Sequence, residues 1–175
     1  MEIEQVIKIS QLYDFYSELL SDKQRQYLDD YYFNDLSLTE ISENYNISKQ
    51  AVSNNIKRTI LELEQFESWI KNIRLARNLS AHNHNIVDIE FTTKPKIQIQ
   101  EMKEKLHVYN LKNNITTNKI ALTVVIMEYL VFKINPDFPG GAIKKALKQL
   151  CKYKTDEEAQ KLGFKNFQII EKLKI

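Results

Sequence analysis

Residues 1–94 contain neither glycine nor proline; Gly140, Gly141, Gly163, Pro95, Pro136 and Pro139 all come later. With those two residues missing, only polar caps can punctuate the first half, so it reads as helix after helix. Caps are present. "SDKQ" (21–24) and "SLTE" (37–40) fit the capping box, in which a Ser or Thr and a Glu or Gln three residues on satisfy each other's backbone donors. "TDEE" (155–158) is a third. The pattern predicts helices near 2–19, 22–33, 38–44, 49–64, 67–82, 98–108, 116–134, 140–151 and 156–162. Between them "IVDIEFTTKPKIQIQ" (86–100) alternates and is β-branched, as an extended stretch or a small hairpin would be. The expected fold class is all-α.

Charge divides the chain. Residues 1–67 carry six Lys and Arg against thirteen Asp and Glu, a net −7; residues 68–175 carry nineteen against ten, a net +9. Two modules with different partners are expected, at 1–66 and 67–175. A basic helical module suits a polyanion such as RNA, although lysine-rich solvation of exposed helix faces gives the same composition. The most apolar run, 120–134, carries Glu128 and Lys133 and is shorter than the ~20 residues of a membrane span. The N-terminal segment is not hydrophobic, so no signal peptide and no membrane partner is expected, and a cytoplasmic location follows. A single cysteine, Cys151, leaves no disulfide framework and no cysteine-rich zinc site. No histidine pair stands near a carboxylate at metal-ligand spacing, and no cofactor is expected.

The first module centres on "DLSLTEISENYNISKQAVSNNIKRTILELE". Ser37 caps a short helix with Leu38, Ile41 and Tyr45 at helical spacing. "NYN" follows, and asparagine tolerates the left-handed turn that glycine often supplies. Ser48 caps a second helix, with Ala51, Val52 and Ile56 facing inward. Lys49, Gln50, Ser53, Asn54, Lys57 and Arg58 are left to face out. This is a helix-turn-helix layout, and the outward set suits a major groove: Gln and Asn for adenine edges, Lys and Arg for phosphates. Helical hairpins that never touch DNA can show the same pattern. With a net −7, any DNA contact is confined to the second helix and its rim.

Residues 11–65, above all "LYDFYSELLSDKQRQY", "LSLTEIS" and "ISKQAVSNNIKR", resemble the YlxM-type helix-turn-helix proteins. That family is similar to the region-four domain of sigma factors and is associated with signal recognition particle genes. The resemblance implies a fold and nucleic-acid contact more firmly than a task.

A second stretch, "IRLARNLSAHNHNIVD" (73–88), concentrates Arg77, Asn78, His82 and His84. Arg77 and His82 fit the Arg-x-x-x-x-His motif of HEPN-type ribonucleases, with the polar Asn78 directly after the arginine. Residues 68–173 resemble the Abi-like (abortive infection) family. The resemblance is carried by "WIKNIRLARNLSAHNHNIV", by "NKIALTVVIMEYLVFKINPDF" and by "IKKALKQLCKY" with "EEAQKLGFKNFQ". It implies a HEPN-like helical bundle and a metal-independent endoribonuclease of the toxin or phage-defence kind. His82 would serve as general acid or base, Arg77 would steady the phosphorane, and Asn78 would orient one or the other. Five residues span about 500° of helix, so Arg77 and His82 diverge by about 140° on one chain. In the HEPN family two copies pool these residues, which implies a homodimer. The plainer reading makes His82 a helix cap, helped by the helix dipole. The rival function is a non-catalytic DNA- or RNA-binding regulator whose HEPN-like part only dimerises.

Overall fold

The computed structural model describes residues 3–82, 84–93, 95–110 and 115–175. Position 2, where the first helix is expected to start, and position 94 of the expected extended stretch lie outside them. The chain is all-α, with one small hairpin. It divides into two compact units, Met1–Glu67 and Ser68–Ile175.

The first unit opens with α1 (Ile3–Tyr16) and a short 3-10 turn, Ser17–Leu19. α2 (Asp22–Leu28) runs into one π-helical turn, Asp29–Phe33, in place of the single α-helix expected over 22–33. α3 spans Leu38–Asn44, and α4 spans Lys49–Ala81. Ile9, Leu12, Leu28, Ile41, Val52, Ile56, Leu63 and Phe66 form the core. The capping boxes at Ser21–Gln24 and Ser37–Glu40 are both formed.

The expected break between 64 and 67 is absent. Gln65 and Phe66 offer no cap, glycine or proline, and Phe66 is fully buried, so α4 runs through as one 33-residue helix.

In the second unit α4 continues from Ser68 and is followed by α5 (Gln100–Lys105), β1 (Val108–Asn110) and β2 (Ile115–Thr116). Then come α6 (Ile120–Ile134), α7 (Ala142–Leu150), α8 (Asp156–Leu162) and α9 (Phe167–Lys172). α6 is apolar almost all round, with nine of its fifteen residues buried, as a central helix must be. Buried polar groups fasten the connecting segment to α4 and α6. Asn72 donates to Thr93 Oγ1 and accepts from Thr123 Oγ1, both at 2.8 Å. Trp69, also buried, donates its indole N–H to the Lys96 carbonyl at 3.3 Å.

The stretch 86–99 is irregular where it is described; the two paired strands lie further on, with Val108 opposite Thr116 and Asn110 opposite Ile115. α5 ends earlier than expected because Leu106 turns extended and bridges to Phe164. Gly163 makes that junction possible: its φ of +96° ends α8 in the left-handed region, and a Cβ there would sit 2.5 Å from Thr117 Oγ1.

Gly140 is tight for a different reason. A Cβ on it would lie 1.9 Å from the Lys174 carbonyl oxygen and 2.8 Å from Ile175 Cα, both backbone atoms. The Ile175 carbonyl is itself held by the Lys144 N–H at 2.9 Å. Gly140→Ala is therefore expected to destabilise the second unit by about 1–3 kcal/mol. Trp69, the chain's single tryptophan, lies in that unit and reports its unfolding in urea. An unchanged midpoint would mean that the backbone yields there at no cost.

Candidate nucleic-acid interface

The geometry of the first unit's helical hairpin is set at its turn. Asn46 holds φ at +50°. The Ile47 N–H reaches the Ser42 carbonyl at 3.0 Å and the Asn46 N–H reaches that of Glu43 at 3.2 Å. These are the paired bonds of a Schellman motif, with asparagine in the position glycine usually takes. Two residues later Ser48 caps α4, its Oγ accepting from the Ala51 N–H at 3.1 Å. Helix, left-handed turn and capped helix together form a helix-turn-helix.

The start of α4 presents the six residues expected there. Lys49, Gln50, Asn54, Lys57 and Arg58 are exposed, and Ser53 is half-buried. Gln50, Asn54 and Lys57 follow one helical stripe, and Gln50 Nε2 donates to Asn54 Oδ1 at 3.0 Å. On the opposite side Val52 and Ile56 are buried. No acid occurs on α4 before Glu62.

Lys23 and Asn55 went unnoticed in the sequence. With Ser21, Gln24, Tyr27, Arg58 and Glu62 they line a notch of about 320 Å³ beside α4. The Lys23 ammonium stands 5.9 Å from the Tyr27 ring centre. Tyr27 is buried, and its hydroxyl has no hydrogen-bond partner among the described residues. The capping box at Ser21 could have drawn attention to Lys23, which sits in the first turn of α2; the pairing of α2 with α4 is not readable from spacing.

Arg77, Asn78 and His82 are also exposed. Arg77 Nη1 donates to Asn78 Oδ1 at 3.0 Å, and the His82 backbone N–H donates to the Asn78 carbonyl at 3.1 Å, closing the last turn of α4. Among the described residues no hydrogen bond joins the His82 ring to Arg77. His84 is exposed, and its N–H reaches the Leu79 carbonyl. Among the described residues no cluster of His, Cys, Asp or Glu could hold a metal ion, and no helix is long and apolar enough to cross a membrane.

These features define the class: a helix-turn-helix protein with a basic, polar exposed face on its second helix. Residues 3–106 match the family described as "UPF0122: Putative helix-turn-helix protein, YlxM / p13 like", and the chain belongs to that family. A UPF0122 protein of Malacoplasma penetrans is 48% identical over 86 residues, covering 46% of this chain and 80% of the relative. One from Fusobacterium nucleatum is 42% identical over 79 residues, covering 45% and 77%. The UPF0122 protein YlxM of Bacillus subtilis is 49% identical over 67 residues, covering 38% and 61%. No solved structure matches. The family match does not stop where the Abi-like module is expected to begin. It runs on to residue 106, through Arg77 and His82.

The α3 end of this hairpin has its own pH signature. Glu40 accepts from the Ser37 N–H at 2.8 Å, and hydrogen bonds from Ser37 hold its carboxyl below the ordinary value of 4.5. A lowered folded-state pKa stabilises above the ordinary value and is lost as pH falls through the lowered one. Glu40→Gln keeps an acceptor but removes the charge. The difference in unfolding free energy between wild type and Glu40→Gln should be present at pH 7 and shrink towards zero as the pH falls below 4. A difference independent of pH would assign the effect to side-chain shape.

Proposed function

We propose that this protein binds duplex DNA through the N-terminal turns of α4, as a non-catalytic regulator. One observation carries the reading: a capped second helix of a helix-turn-helix exposes Lys49, Gln50, Asn54, Lys57 and Arg58 on a helix with no acid before Glu62. Gln50 and Asn54 offer paired donors and acceptors to an adenine edge, which displays both in the major groove. Their mutual hydrogen bond aligns both amides before contact. Lys57 and Arg58 serve phosphates, and Lys23 in the notch beside Arg58 adds a third cation. Membership of a helix-turn-helix family supports the same reading.

Lys57→Ala and Arg58→Ala are expected to weaken binding at all sequences and to reduce the salt slope by about 1 each. Asn54→Ala should alter sequence preference instead, by about 1–3 kcal/mol at the affected base pair. Titration of a randomised duplex library at several salt concentrations separates the two effects. Binding that ignores salt, or none at low salt, would make this face a protein contact.

The ribonuclease reading of Arg77, Asn78 and His82 draws less support. All three are exposed, and Arg77 is engaged with its neighbour Asn78. RNA as a substrate and a homodimer that pools these groups belong to that reading. On the regulator reading, His82→Ala leaves DNA affinity unchanged and the purified protein leaves RNA intact. RNA products ending in 2′,3′-cyclic phosphate that vanish with His82→Ala, from a protein of dimeric mass in light scattering, would restore the catalytic assignment. A typical loss for a positioned general acid or base is about 10²–10⁴-fold.

A further inference from the structure

The second unit contains a cleft of about 590 Å³ that nothing above uses. One stripe of α6 forms its wall: Val125, Glu128, Tyr129 and Phe132 recur at helical spacing. Met102 of α5, buried like Val125, adds to the apolar floor. Four lysines stand around it: Lys105, Lys133, Lys172 and Lys174. The volume falls within the range of small-molecule sites, which pair an apolar lining with a few placed polar groups.

The placement of these cations is built, not incidental. Glu128 is a 4% exposed carboxylate on an otherwise apolar helix. Both of its oxygens are spent: Oε2 accepts from Lys105 Nζ and Oε1 from the Lys174 backbone N–H, each at 2.7 Å. A buried carboxylate left unpaired would be strongly destabilising, so these two bonds fix α5 and the chain after α9 against α6. The other acid of the cleft, Glu101, lies 3.3 Å from Lys105. With both acids engaged by Lys105 and the backbone, Lys172 and Lys174 bring positive charge to the cleft beside Lys133, whose ammonium donates to Tyr129 Oη at 3.3 Å. Two of them lie along the aromatic wall. The Lys133 ammonium is 5.4 Å from the Tyr129 ring centre, and that of Lys174 is 5.4 Å from the Phe132 ring centre.

The geometry points to a nucleotide-binding cleft: a planar base seated over Met102, Val125, Tyr129 and Phe132, its phosphates held by Lys133, Lys172 and Lys174. Ammonium groups over aromatic faces provide a cationic site beside an apolar one, and a nucleotide, with its planar base and charged phosphates, meets both. A bare anion would leave the apolar floor unused, and an uncharged ring would leave the lysines unmatched. The occupant is a free nucleotide or one unit of a single strand, since both carry the same base and phosphate. The inference is independent of α4 and does not rest on the DNA-binding reading.

Isothermal titration of the full chain at low salt tests it, with adenosine diphosphate, adenosine, inorganic pyrophosphate and a five-nucleotide oligoadenylate as probes. Saturable binding of the diphosphate or the oligonucleotide is expected, with adenosine and pyrophosphate each at least about ten-fold weaker. Tighter binding of the diphosphate would identify a free nucleotide as the ligand, and tighter binding of the oligonucleotide a single strand. Lys172→Ala combined with Lys174→Ala should weaken the bound probe by about ten-fold or more, since each removes a charge-assisted contact. The Lys174 backbone N–H to Glu128 survives that change; should the double variant still fold poorly, Lys133→Ala alone carries the test. Lys57→Ala on α4 should leave this binding untouched, so failure here and failure of the DNA reading are separable. No nucleotide binding at millimolar concentration would overturn the proposal. So would pyrophosphate binding as tightly as the diphosphate, or an affinity that ignores all three lysines.

Discussion

The exposed polar face of α4 depends on a single backbone conformation, the left-handed Asn46. Because that residue accepts φ +50°, the Ser42 and Glu43 carbonyls are satisfied by the turn, and the chain is redirected within two residues. Ser48 can then cap α4 at Lys49. Move that cap by one position and every side chain on α4 rotates by about 100°. Val52 and Ile56 would leave the core, and Gln50 and Asn54 would no longer face out together. The register of the polar stripe is thus a consequence of where the turn sits, and the core residues enforce it: Val52 is fully buried and Ile56 nearly so.

Local chemistry of this kind is what makes a sequence legible. The capping boxes at Ser21, Ser37 and Thr155 each bind residues three apart, and all three are formed. The turn at Asn46 and the cap at Ser48 were readable for the same reason. What was not legible depends on partners far along the chain. The helix expected to break near residue 65 continues because Phe66 is buried in the core, which no local signal reveals. The paired strands are Val108–Asn110 and Ile115–Thr116, not the stretch before α5, where Phe91, Thr93 and Lys96 are tied to Asn118, Asn72 and Trp69 through backbone and side-chain bonds. α9 was missed because its only advertisement is Asn166, whose Oδ1 accepts from the Ile169 N–H. The exposure of the polar stripe on α4 could be expected from spacing. The cleft of the second unit could not, since its parts come from α5, α6 and the residues around 172–174.

Arg77 and His82 show another limit, a motif that is legible in the sequence but whose catalytic geometry would need a second chain. A spacing of five is easily noticed in a sequence, but on α4 it leads to an arginine paired with its own neighbour and a histidine just past the helix end. The Asn78 carbonyl takes the His82 N–H, so what the structure records here is termination of a helix. The buried groups on the same stretch, Trp69 and Asn72, do more for the fold than the exposed ones that attracted notice.

Net charge is a poorer guide to the first unit than the placement of its charges. A sum of −7 argues against a polyanion partner if every acid acts at once. That sum already counts the pairings of Glu64 with Lys8 and of Glu18 and Asp22 with Arg25, and Asp29 and Asp30 keep their charge while accepting from the hydroxyls of Tyr13 and Tyr45, so what matters is where the remaining acids stand. Salt also screens exposed charges beyond about 8 Å at physiological ionic strength. An anion approaching the start of α4 therefore meets Lys49, Lys57 and Arg58 first, on a helix with no acid before Glu62. On the DNA-binding reading proposed above, three to four cations neutralise only a few phosphates, so the electrostatic share of affinity stays small and polar contacts of Gln50 and Asn54 would decide more of the outcome. On that same reading, a short basic strip on an acidic first unit favours selectivity over strength, because a duplex is repelled from the rest of that unit.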